Sequence, residues 1–448
     1  MTAYWCERAW LDPDRGLADS LVVTTDAGRI AAVDAGRQAP SGAVRLAGVT
    51  IPGLANCHSH AFHRALRGRT QRVSGSFWTW RDQMYAAADL LDPGAYYRLA
   101  RGIFAEMALA GITCVGEFHY LHHDPAGRPY DDANAFGQAL IAAARDVGIR
   151  IALLDTCYLA AGFGRDPEGV QRRFSDGDAY RWADRVEALA ESHADASDVV
   201  VGAAIHSVRA VPADQIGVVA AWAGRHHAPL HVHVSEQPAE NTDCRAATGR
   251  TPTELLEEHG ALGPLTSAVH ATHLSWRDVA QLGSAGGYVC FCPTTERDLA
   301  DGIGPSTALR NAGATLTLGS DSHAIVDPFE EMRAVELDER LSSRQRGSWT
   351  ASDLLRAGTV DGHRSLGFDD AGTIAVGAWA DLVTVATDTV RTAGTGGAVE
   401  GVVFAATAGD VSDVVSGGVR IVADRVHQKV PDVAAELAAT IDDLWADA

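Results

Sequence analysis

The chemistry open to this sequence is concentrated in His58, His60, His233, Glu236, His270 and Asp321, residue types that ligate metal ions and move protons. In an extended segment His58-Ser-His60 points both imidazoles the same way, as two ligands to one ion require. His233 and Asp321 can complete a set of three nitrogens and one oxygen that leaves room for water, which is how a catalytic zinc site differs from a structural one. A bound ion would lower the pKa of water from 15.7 toward about 7 and supply hydroxide at neutral pH. Glu236, three residues beyond His233, is placed to give a proton to a leaving nitrogen. His270 is placed to hydrogen-bond the attacking oxygen or the developing negative charge, and Asp321 could hold the water's proton as well as the metal. Taken singly, each has a plainer reading: a solvated His-x-His pair, a surface carboxylate, a core histidine.

Position along the chain weighs against the plainer readings. Eight apolar runs predict strands at Ile51–Ala55, Ile112–Glu117, Ile149–Leu154, Val199–Ile205, Pro229–Val234, Ser267–Val269, Gly287–Cys292 and Thr315–Leu318, separated by helix-like stretches. One helix opens on Asp92-Pro93 and stops at Gly111; others start near Pro212, Ser275 and Pro328, and a last one covers about 350–366. Eight βα units close a barrel, and barrel enzymes carry their sites at the C-terminal ends of the strands. His58 and His60 follow the first strand, Glu117 and His119 the second, His206 and Arg209 the fourth, His233 and Glu236 the fifth, His270 the sixth and Asp321 the eighth. The fold class expected is α/β: a (β/α)8 TIM-like barrel over 51–370, with a small β-sandwich built from 1–50 and 371–448, the latter ending in a helix. Strand-like runs at Leu21–Thr25, Ile30–Val33, Ala380–Ala386 and Gly401–Phe404 supply that second unit.

With 448 residues, 46% hydrophobic and 21% charged, the chain has apolar material for a large core. A formal net charge of −21 with no basic run argues against nucleic acid or an anionic membrane surface as partner. A small anionic substrate then needs arginines concentrated near it. The N-terminus lacks a basic segment followed by an apolar one, and no run is long enough to span a bilayer, so a cytoplasmic location is expected. The seven scattered cysteines are expected to be reduced, with Cys290 and Cys292 on one strand face, where core packing is the first expectation and metal binding stays open. The single lysine, Lys429, lies past the barrel, which excludes a Schiff base and a metal pair bridged by a modified lysine. One ion is expected, a carboxylate-bridged pair remaining open.

The run Pro52-Gly-Leu-Ala-Asn-Cys-His-Ser-His60, one histidine after strand five, another after strand six, and Gly319-Ser-Asp321 resemble the amidohydrolase superfamily over nearly the whole chain. That resemblance implies a barrel flanked by a β domain. Several segments look like the formimidoylglutamate deiminases, which remove ammonia from N-formimino-L-glutamate in histidine breakdown: His58-Ser-His-Ala-Phe-His-Arg64, Ser76-Phe-Trp-Thr-Trp-Arg81, Glu117-Phe-His-Tyr-Leu-His-His123, Ala204-Ile-His-Ser-Val-Arg209, His231-Val-His-Val-Ser-Glu236 and Cys292-Pro-Thr-Thr-Glu296. The resemblance implies one zinc ion, with iron(II) or another divalent metal open, on His58, His60, His233 and Asp321, with Glu236 as proton shuttle and His270 assisting at the water. Arg81, Tyr120, His206 and Arg209 resemble positions that hold the substrate's glutamate moiety, in keeping with the forked donors that two carboxylates require. His63 stands where this family often carries glutamine, and a histidine can donate the same hydrogen bond. Glu296 is a further candidate, for contact with a cationic formimino group. Trp78 and Trp80 could belong to a lid or to a subunit contact, and a homodimer is expected.

The expected reaction is hydrolysis of N-formimino-L-glutamate to N-formyl-L-glutamate and ammonia, hydroxide attacking the formimino carbon. A deaminase acting on a purine, pyrimidine or triazine ring is the alternative, in which aromatic stacking replaces the paired arginines. A non-catalytic hydrolase-like scaffold is a second, against which the intact metal, shuttle and water positions argue.

Overall fold

The computed structural model describes residues 1–72 and 77–446. Ser76 of the Ser-Phe-Trp-Thr-Trp-Arg run, and 447–448 at the end of the expected C-terminal part, lie outside the described residues. One sheet consists of eight strands in chain order, each parallel to the next: Leu54–Ser59, Ile112–His119, Arg150–Cys157, Val199–Ile205, Leu230–Val234, Thr266–His270, Tyr288–Phe291 and Thr315–Leu318. Several are buried along their whole length, as strands covered on both faces must be. Between the eighth strand and the first, Asp321 bridges to Ser59. There the Asp321 N–H donates to the His58 carbonyl at 2.9 Å, and the His60 N–H to the Asp321 carbonyl at 3.1 Å. This (β/α)8 barrel therefore closes on the backbone of the residues that carry its chemistry.

The helices start where the side chains can cap them. The Asp92 carboxylate accepts the Ala95 N–H at 2.7 Å with Pro93 in the first turn, Ser275 and Asp278 form a capping box, and Asp327 caps Pro328–Ser343.

The second sheet joins the chain ends. Thr2–Trp10, Leu17–Asp26, Arg29–Asp34 and Val44–Pro52 come from the N-terminal side, and Leu382–Val385, Val411–Ser416, Val419–Ala423 and Val426–His427 from the C-terminal side. Tyr4, Cys6, Leu21, Val23, Leu46, Leu382 and Val415 form its apolar core. Arg150, at the start of the third barrel strand, makes a buried ion pair with Asp381, just ahead of Leu382, and lies 4.6 Å from the Trp379 ring. That pair ties the two sheets together.

Two expectations change. Ile51 and Pro52 end a strand of the second sheet, and the first barrel strand runs Leu54–Ser59 rather than Ile51–Ala55. The chain crosses between sheets at Gly53, where a Cβ would lie 2.2 Å from the Thr113 hydroxyl, so only glycine passes. Gly401–Phe404 lies in a helix, Val399–Phe404, not a strand. Val399, Val402 and Val403 are buried against helices Pro328–Ser343 and Ala351–Gly358, so tertiary packing outweighs the β-propensity of valine. All seven cysteines are free and buried, with Cys290 and Cys292 in the barrel core.

Candidate active site

His58 sits on the first barrel strand and His60 just beyond it, their rings 4.7 Å apart. The Nε2 atoms of both face one oxygen of Asp321, at 3.3 and 3.2 Å, and His233 Nε2 lies 3.1 Å from His58 Nε2. Two ligands about 2.0–2.1 Å from one ion at the tetrahedral angle are about 3.3 Å apart, so this spacing suits a single cation. The Nδ1 atoms of His60 and His233 meet the carbonyls of Phe118 at 3.0 Å and His206 at 2.8 Å. A neutral imidazole donates through that nitrogen and keeps its Nε2 lone pair for the centre of the cluster. Burial pushes His58 down to about 3 and His233 well below the usual imidazole range. Burial alone would raise Asp321, but the imidazoles of His58 and His60 beside it hold it well below the ordinary carboxylate value. Three imidazole nitrogens, from His58, His60 and His233, around one carboxylate make a donor set that fits a divalent ion.

The backbone is bent to bring these groups in. His270 (φ 66°) and Asp321 (φ 42°) are in the left-handed region, at a cost of about 1–3 kcal/mol each. Backbone bonds hold both places: Ala271 N–H to the Val234 carbonyl at 3.0 Å, and the Asp321–His58 bond of the barrel seam. At Gly319 a Cβ would stand 2.7 Å from the Cβ of His58, so the glycine lets the eighth strand pass beside the histidine.

Proton-carrying groups lie next to this cluster. His270 Nε2 is 3.9 Å from Glu236 and 3.8 Å from the second oxygen of Asp321, and its Nδ1 is 3.3 Å from Glu296. Burial would lower His270, but Glu236, Glu296 and Asp321 together push it well above the usual range. Burial, with Asp321 adding to it, raises Glu236 against the opposing pull of His270. Glu296, expected to touch substrate, instead accepts the Cys292 N–H at 2.9 Å and faces His270; it is absent from the described cavity lining. It positions His270.

His60, His63, His233, Glu236, His270 and Asp321 line a cavity of about 60 Å³, and Arg81, Tyr120, His206 and Arg209 line it too. The Tyr120 hydroxyl and His63 Nε2 are 2.9 Å apart, and burial holds both His63 and His206 well below the usual imidazole range. Among the described residues neither Arg81 nor Arg209 forms an ion pair, although the charge of Arg209 acts on Glu236 and Glu240. Arg81 lies over the rings of Trp78 and Tyr85, at 4.6 and 5.4 Å, with its Nε buried and unpartnered. A wider groove of about 860 Å³ shares Arg81, Tyr85 and Arg209 with the cavity.

Glu117 and His119 do not join this lining. Glu117 accepts from the Ser59 hydroxyl at 2.6 Å and the Ala61 N–H at 2.7 Å, bracing the His58–His60 turn from behind, and burial pushes it up to about 7. His119 belongs to a second cluster with His122 and Asp155. The sequence did not single out Tyr85 or Tyr158, although both line the cavity. Tyr158 directly follows the third strand and Tyr85 is one helical turn after Arg81, so the rim rule and helical spacing could have found them.

The chain belongs to the amidohydrolase family, whose pattern matches residues 49–421. It is 40% identical over 360 residues to a formimidoylglutamate deiminase of Pseudomonas aeruginosa, covering 77% of this chain and 78% of that one. It is 28% identical over 346 residues to a 5-methylthioadenosine/S-adenosylhomocysteine deaminase of Teredinibacter turnerae, covering 75% and 71%. The crystal structure of an amidohydrolase from Brucella melitensis superposes with a TM-score of 0.92 at 31% identity, covering 99% of this chain and all of that one.

Proposed function

We propose that this protein hydrolyses N-formimino-L-glutamate to N-formyl-L-glutamate and ammonia. The observation that carries this reading is a pair of arginines that form no ion pair among the described residues and line the same small cavity as His60, His233 and Asp321 of the cluster. In a chain of net charge −21, a guanidinium that lines a cavity without an ion pair is placed for an anion. The similarity to a formimidoylglutamate deiminase points the same way.

In this reading His58, His60, His233 and Asp321 hold one divalent ion, zinc in the first instance. Bound there, the ion supplies a Lewis acid and a water whose pKa falls to about 7. Arg81 and Arg209 bind the two carboxylates bidentately, and the Tyr120–His63 pair adds a neutral contact, fixing the formimino carbon over the inner cluster. His270, kept charged by its carboxylate neighbours, donates to the attacking oxygen, while Glu236 carries a proton to the nitrogen that leaves as ammonia. Glu296 holds the His270 ring from behind. The test is ammonia release from N-formimino-L-glutamate, guanine, cytosine and adenosine by protein of known metal content. Turnover confined to the formimino compound supports the proposal. Turnover of a ring instead would make this a ring deaminase, and a purified protein without stoichiometric metal would favour a non-catalytic scaffold.

A further inference from the structure

Tyr85 and Tyr158 line the same cavity as Arg81 and Arg209, and the reaction as described makes no use of them. Both phenols meet one side chain. Gln171 Nε2 is 2.9 Å from the Tyr85 hydroxyl and 2.9 Å from that of Tyr158. Gln171 is 5% exposed and lies on the short helix Gly169–Phe174. Its amide cannot be turned around, because Oε1 accepts the Glu168 N–H at 3.1 Å. The NH2 group therefore faces the phenols and donates one hydrogen to each.

Each phenol oxygen is thus an acceptor toward Gln171, and each O–H must be satisfied elsewhere. The two hydroxyls also face each other, so one proton can close that contact. The second finds only hydrogens on the amide and is left for the cavity. Burial pushes Tyr158 well above the ordinary phenol range, so its proton stays on.

We propose that Gln171 is a positioning residue for substrate selection: by holding Tyr85 and Tyr158 as acceptors, it leaves a phenolic O–H to donate to a carboxylate bound beside Arg81 and Arg209. This rests on the dicarboxylate reading of the cavity. A neutral donor there satisfies a carboxylate lone pair that the guanidiniums leave open, and it prefers a carboxylate to an amide because a charged acceptor makes the stronger bond.

The test is a cycle of variants read by calorimetric binding of N-formyl-L-glutamate, with steady-state kinetics and zinc content alongside. Gln171→Met should weaken N-formyl-L-glutamate binding about tenfold and raise KM for N-formimino-L-glutamate similarly, with kcat changed by less than about twofold and zinc retained. Gln171→Glu keeps the shape but draws both phenolic protons onto itself, and should weaken binding further; it also serves if the methionine variant folds poorly. Adding Gln171→Met to Tyr85→Phe/Tyr158→Phe should change affinity by less than about twofold, because the groups it acts through are gone. An unchanged affinity in Gln171→Met, or a loss that persists in full in the phenylalanine background, overturns the proposal. Wild-type protein that binds N-formyl-L-glutamate but releases no ammonia contradicts the proposed reaction while the cycle still reads this inference. Wild-type protein that fails to bind the dicarboxylate overturns both.

Discussion

Two buried clusters in this barrel share a composition and differ in what sits at their centre. At the barrel mouth, Asp321 is surrounded by imidazoles, with no arginine or lysine partner among the described residues. On the third barrel strand, Asp155 stands near His122 and His119 but receives two bonds from Arg185, at 2.8 and 2.9 Å, and a third from the Trp182 indole at 3.0 Å. Arg185 also reaches Asp176, which His123 approaches at 3.1 Å. A carboxylate buried in its charged form needs compensating charge. The second cluster pairs its carboxylate with Arg185, a permanent cation; the first sets Asp321 among imidazoles alone, whose ring nitrogens can also ligate a metal ion. Residue types alone make the two look equivalent; the resident arginine separates them.

Exchanging the same substitution between the clusters should give opposite results. Asp321→Asn is expected to lose bound zinc and to cut turnover by roughly a thousandfold or more, equivalent to about 4 kcal/mol, with the fold retained. Asp155→Asn should keep its zinc and lose stability on the order of 3 kcal/mol, because Arg185 stays buried with one partner fewer. Metal analysis paired with denaturant unfolding reads both. An Asp155→Asn protein without metal would erase the distinction drawn here. Within the mouth, Glu236→Gln should lower kcat by about a hundredfold to ten-thousandfold with zinc in place, separating proton transfer from metal binding.

How much of this was legible from sequence depends on how local the cause is. The eight strands and the rim positions of His58, His60, His233, His270 and Asp321 follow from periodicity and from one rule about barrels, and the structure brings those side chains together. The crossing at Gly53 was hidden because Thr50 to Ala55 reads as one apolar run, and only the nearness of Thr113 shows why it must break. Val399–Phe404 reads equally well as strand or helix until its packing partners are known. Glu296 and Glu117 were visible as carboxylates, but whether each faces substrate, histidine or backbone is decided by loops folded from distant sequence. Arg185 lies on helix Ala179–Ser192, where its spacing resembles that of any surface arginine.

Smaller effects sharpen the contrast further. Arg209→Ala should raise KM for the dicarboxylate about ten- to a hundredfold with zinc content unchanged; normal kinetics would remove Arg209 from the pocket. The second cluster should announce itself in acid. Burial would raise Asp176, but Arg185 and His123 hold it well below its ordinary value. A carboxyl depressed in the folded state stabilises fully above its unfolded pKa of about 3.9, and that contribution is lost as pH falls through and below it. Asp176→Asn should therefore be less stable than the parent at neutral pH and lose less on acidification, a difference that urea melts at pH 7 and pH 3 would resolve.

The most direct test is an anomalous-scattering map of the crystalline protein recorded across the zinc absorption edge. One peak is expected, about 2.0–2.2 Å from His58, His60, His233 and Asp321, with none between His119, His122 and Asp155. A map with no peak at the barrel mouth, or with the ion beside Asp155, would contradict the account.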